Sequence, residues 1–139
     1  MIPQLSREVS ELGELCERFA ALSDCAARAC ESGDDAALGA ALDARDLLVQ
    51  RAAVLAQCVR DGRRTVSSKA GREALDAVLR PLRALAAEAE RANADLAHRA
   101  RAARTALGEQ LDRLRHDDAA RSAYATATRD EAIRLDVTR

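Results

Sequence analysis

The sequence predicts an all-α protein: an antiparallel helical hairpin packed on a long third helix, as a three- to four-helix elongated bundle or coiled coil. Three observations carry this. Of 139 residues, 33 are alanine and 18 are leucine, which lose little rotamer freedom in a helix. Valine and isoleucine together number nine, and the aromatics are Phe19 and Tyr124 alone. That is too little β-branched and aromatic material to furnish a sandwich, a barrel or a parallel sheet. Finally, apolar residues recur three and four positions apart along three long stretches, the period of an amphipathic helix.

The first stretch predicts a helix over 4–31. Leu5, Leu12, Phe19 and Ala26 repeat every seven residues, with Leu15, Leu22 and Ala29 between them. Val9, Cys16 and Cys30 widen the stripe, so both thiols are expected to be buried and Phe19 to be the largest residue of the hairpin core. Ser32-Gly33-Asp34-Asp35 ends the helix. Gly33 suits a left-handed C-terminal cap, and Ser32 or Asp34 can cap the next helix through a side-chain oxygen. So short a break folds two helices back on each other. The second helix is expected over 35–60, each hairpin helix being about 40 Å long. Its stripe is Leu38, Ala41, Leu42, Leu48, Val49, Ala52, Leu55, Ala56 and Val59. Arg45 stands in the middle of it. Either its stem packs and its head reaches past small neighbours to water, or the charge faces a partner. Glu8, intruding on the first stripe, falls level with Cys58 to Arg60 and is expected to pair with Arg60.

Residues 61–72 are polar, contain two glycines and predict a flexible linker. A third helix is expected over 73–118, kinked or broken near Pro81, which lacks a backbone donor and clashes with the preceding turn. From Pro81 to Asp118 it would run about 55 Å, so part of it should outrun the hairpin. The remainder, 119–139, reads as a flexible C-terminal tail. Within it Ile133, Leu135 and Val137 alternate with charged residues, the period of an extended strand. One helical domain over 1–139 is expected.

Charge and chemistry narrow the function. The net charge is −1. The first 61 residues hold 11 acids and 6 bases, the rest 12 acids and 16 bases, with Arg99, Arg101 and Arg104 the only basic grouping. Solvated arginine faces are common on helices, and the two arginines within 61–72 have no aromatic beside them to stack a base, so nucleic acid is not expected as a partner. The N-terminus lacks a basic, then apolar, leader, and no run of 18 apolar residues exists. A cytoplasmic protein is expected, with its four cysteines as thiols. No C-x-x-C pair occurs, and the two histidines lie far apart, which leaves no metal-ligand spacing. Carboxylates are scattered and no glycine loop opens a helix. Neither an enzyme nor a cofactor is expected.

The second-helix opening, Gly33-Asp34-Asp35-Ala36-Ala37-Leu38 followed by Leu42, Arg45, Leu48, Arg51, Ala52 and Leu55, resembles the flagellar type III export chaperones of the FlgN and FliT families. Leu111, Leu114 and Arg115, and then Ala123-Tyr124, are similar to those families' Leu-x-x-Leu run closing on an Ala-Tyr pair. Ile133-Arg134-Leu135-Asp136 resembles their apolar-Leu-Asp tail. The high alanine content and Pro81 depart from the pattern.

The resemblance implies a chaperone that holds the terminal amphipathic helix of a late substrate, a hook-associated or filament-cap protein. It also implies delivery to the export-gate membrane protein, with Tyr124 in the segment that docks on the gate. The residues themselves mark where a client would lie. Leu107, Leu111 and Leu114 form a ridge where the third helix should outrun the hairpin, suited to an amphipathic helix. The alternative is that these leucines finish the intramolecular core. Two rival functions also stand: a coiled-coil adaptor or scaffold, including a homodimer through the third helix, and an arginine-mediated nucleic-acid regulator.

Overall fold

The structure, a computed structural model, describes residues 2–137 and contains three helices and no strand among them. These are α1 (Ile2–Ser32), α2 (Asp35–Thr65) and α3 (Lys69–Val137). The all-α prediction holds, and α1 packs against both other helices. By its contacts the chain separates into two units, Met1–Ala100 and Arg101–Arg139.

The first unit is a three-helix bundle whose order follows from its core. At one end Leu5 and Val9 of α1 meet Val59 of α2 and Leu75 and Leu79 of α3. In the middle Leu12 and Leu15 pack on Leu48 and Leu55, with Phe19, Leu22 and Ala52 partly buried around them. At the other end Ala26 and Ala27 meet Ala41 and Leu96. Rising α1 numbers thus meet falling α2 numbers and rising α3 numbers. α1 and α2 form the expected antiparallel hairpin, and α3 runs parallel to α1. Alanine at the far end lets the helices approach closely. Among the described residues Ser23 is the one fully buried polar side chain, and it donates its hydroxyl to the Phe19 carbonyl at 2.8 Å. Leu42 and Val49 are 38% and 50% exposed, on the flank of the α2 stripe rather than in the core.

The hairpin turn is built as its residues dictate. Gly33 adopts φ +71°, where a side chain would be strained. The Asp34 amide donates to the Ala29 carbonyl at 3.0 Å, closing α1. The Asp34 carboxylate accepts from the Ala37 amide at 3.0 Å, opening α2, and Asp35 adds a favourable charge there.

The second connection corrects the expected linker over 61–72. α2 continues to Thr65 and α3 begins at Lys69, so the join is three residues long. Gly62 lies against Leu5, where a Cβ would come within 2.9 Å of its Cδ1. Ser68 caps α3, its hydroxyl accepting from the Gly71 amide at 3.0 Å. A capped helix start can carry glycine in its first turn, which is why Gly71 does not mark a loop.

α3 also runs through Pro81 without a break. Leu75, Val78, Leu79, Leu82 and Leu85 present one continuous apolar face to the hairpin on both sides of the proline, and that packing outweighs one lost backbone bond.

In the second unit the expected tail over 119–139 is helical as far as Val137, with no strand at 133–137. Thr105, Thr126 and Thr128 each turn the hydroxyl onto the carbonyl four residues back, at 2.9–3.1 Å, a geometry compatible with the helix. From Arg101 to Val137 every residue except Ala103 is exposed.

Candidate functional site

Leu107, Leu111 and Leu114 are 60%, 53% and 61% exposed on α3. Leu75, Leu79 and Leu96 of the same helix are only 6–7% exposed. The three distal leucines therefore do not finish the core. At about 100° per residue they fall within a narrow arc of the helix and form one ridge. Exposed leucine contributes nothing to folding, whereas covering one is worth about 1.5–3 kcal/mol. The ridge is a strip of exposed apolar side chains.

Tyr124 is 77% exposed and its carbonyl accepts the Thr128 hydroxyl. It lies ten residues beyond Leu114, about 15 Å along the axis and roughly a quarter turn away. The structure brings the leucines together and leaves Tyr124 outside their ridge.

Several charged residues are engaged in small pairings. Arg99 contacts Glu31 and Asp95, each at 3.0 Å, so the arginine grouping it shares with Arg101 and Arg104 is partly neutralised. Arg51 donates two bonds to Glu11, at 2.7 and 3.0 Å, joining α1 to α2. Glu8 does not pair with Arg60. Arg60 instead donates to Gln57 on its own helix, while Glu8 lines an open groove with Glu11, Arg51 and Cys58.

Arg45 does neither of the two things its position offered. Its guanidinium lies 4.5 Å over the Phe19 ring and donates through Nη2 to Asn93 Oδ1 on α3. Its Nε is buried without a partner. Phe19 is consequently half-buried rather than a closed core residue. The cue was present in the sequence, since a hairpin register sets Arg45 near the only phenylalanine, but an arginine in a stripe reads first as a snorkelling stem.

The thiols also sit nearer the surface than their stripe implied. Cys16 and Cys30 are half-buried, and Cys25 and Cys58 are exposed. Burial pushes the Cys16 thiol above its ordinary value. Among the described residues no group of three or more His, Cys, Asp or Glu is placed to hold a metal ion. No helix is long and apolar enough to cross a membrane among them. An open groove of about 410 Å³ between α1 and α3 is lined by Val9, Gly13, Pro81 and Leu85, with Glu14 and Glu17 beside it. It offers apolar walls, the side chains of Ser6 and Ser10 and two carboxylates.

Comparison of the chain with known protein families, with curated proteins and with solved structures finds no match.

Proposed function

We propose that the chain is a flagellar type III export chaperone of the FlgN/FliT type, acting in the cytoplasm without catalysis or cofactor. On this reading the ridge of Leu107, Leu111 and Leu114 holds the amphipathic terminal helix of a hook-associated or filament-cap protein. The segment around Tyr124 then presents the complex to the export-gate membrane protein. The observation that carries the reading is the contrast within α3, buried leucines up to Leu96 and more than half-exposed ones from Leu107 onward. The family resemblance supplies the identity of the client and of the gate.

Substitution of both Leu111 and Leu114 by Ser tests it, using the purified hook-associated and filament-cap proteins of the same organism. Capture is expected to fall by about tenfold or more, while the melting temperature stays within about 1 °C, because neither side chain is in the core. Unchanged capture, or a bundle destabilised by several kcal/mol as for buried leucines, refutes it. Tyr124→Ala should keep capture and lose binding to the gate. The second reading is a helical scaffold, favoured by the unbroken spacing of apolar residues along α3. It predicts self-association and no binding to any of these clients.

A further inference from the structure

The exposed stretch of α3 carries a regularity beyond its three leucines. From Leu107 the positions 111, 114, 118, 121, 125, 128 and 132 follow in alternating steps of four and three, the spacing of a coiled-coil seam. All eight side chains are exposed. The seam opens with Leu107, Leu111 and Leu114 and closes with the small residues Ala125, Thr128 and Ala132. Between them stand Asp118 and Arg121, one charge of each sign. Among the described residues neither takes part in an ion pair.

A charge at a seam position is costly against an apolar partner and is tolerated when an opposite charge meets it. The partner of this seam must therefore carry a basic residue opposite Asp118 and an acidic one opposite Arg121. A second copy of the same stretch, laid antiparallel with a twofold axis between residues 119 and 120, meets both conditions and, over 107–132, sets large residues against small; the next seam position, Leu135, then faces Arg104. Asp118 then faces Arg121 of the second copy, and the pairing occurs twice by symmetry. Leu114 faces Ala125, Leu111 faces Thr128 and Leu107 faces Ala132, large against small in each layer.

Other arrangements fail on the same residues. A slip of one heptad sets Asp118 against Leu114 and Arg121 against Leu111, and the opposite slip sets them against Thr128 and Ala125 and leaves both charges unpaired. A further slip in the first direction sets Asp118 against Leu107 and Arg121 against Arg104. A parallel in-register pair sets Asp118 against Asp118 and Arg121 against Arg121. A helix offering only an apolar face leaves both charges without partners. We infer that the exposed stretch of α3 pairs with that of a second copy, antiparallel about an axis between residues 119 and 120, and that Asp118 and Arg121 fix the register. The inference requires no client and goes beyond the export reading. Because both use the leucine ridge, self-pairing and client capture exclude each other.

Sedimentation velocity of the purified full chain over a dilution series tests it. The expected result is a monomer–dimer equilibrium. Asp118→Arg alone and Arg121→Asp alone each weaken it by about tenfold or more, by setting like charges face to face. The double exchange, Asp118→Arg with Arg121→Asp, restores the pair and returns the dissociation constant to within about threefold of the original. Both positions are exposed and outside the bundle core, so the variants keep the fold. A chain that stays monomeric at every concentration overturns the inference. So does a dimer indifferent to the single exchanges, or one that the double exchange fails to rescue.

Discussion

The Phe19 ring is covered on one side by a guanidinium, and this makes Arg45 a structural residue. Its head lies 4.5 Å over the ring, bonds Asn93 on α3 and buries an Nε that finds no acceptor. Two effects of opposite sign meet there. The cation over the ring is favourable by about 0.5–2 kcal/mol, while an unpartnered buried donor costs about 1–3 kcal/mol. Phe19→Ala removes the favourable one and opens a gap beside Leu15 and Leu48. A loss of about 3 kcal/mol is expected, at the low end for phenylalanine because the ring is only half-buried. Arg45→Met removes the unpartnered donor together with the cation, so its net effect should stay within about 1 kcal/mol. Urea melts of the two single variants and the double should give a coupling of about 1 kcal/mol between the two sites. Strict additivity would mean that the stacking contributes nothing.

At the scale of elements, the glycines divide by the work each does. Gly33 alone adopts positive φ, and Gly39 and Gly108 sit in helix interiors with open space where a Cβ would go. Gly39→Ala should therefore stabilise the bundle by about 0.5–1 kcal/mol. Gly33→Ala, forced into the left-handed region, should destabilise it by about 1 kcal/mol. Opposite shifts of the thermal midpoint check the pair. α1, α2 and the turn between them were legible in the sequence because period, cap and breaker agree at each position there. The start of α3 was not, because Gly71 resembles a breaker until Ser68 is seen to cap the helix ahead of it. The break that Pro81 allowed is absent for a related reason. The proline's backbone cost is local, whereas the apolar face that carries α3 through it is spread over 75–85. The end of α3 was obscured by threonines whose hydroxyls fold back onto their own helix, and by an alternation over 133–137 too short to outweigh helical continuity. The leucine ridge was legible as spacing, but whether it was core or surface depended on where α3 leaves the hairpin's cover.

Over the whole molecule, the division after Ala100 predicts two kinds of behaviour within one helix. Amides over 75–96 belong to a packed core, while those over 107–132 belong to a helix whose side chains face solvent. Hydrogen exchange at high dilution should show the second group exchanging faster by about tenfold or more. Equal protection across α3 at dilution would show that the exposed stretch is held by contacts of its own. The same division separates two demands on the chain. Every buried leucine of α3 lies at or before Leu96, and the seam residues lie at or after Leu107. A substitution in the seam is therefore expected to alter the proposed pairing or capture without reopening the packing that keeps the bundle folded. The fold thus sets no constraint on the seam, and residues 107–132 are free to change without cost to the bundle core.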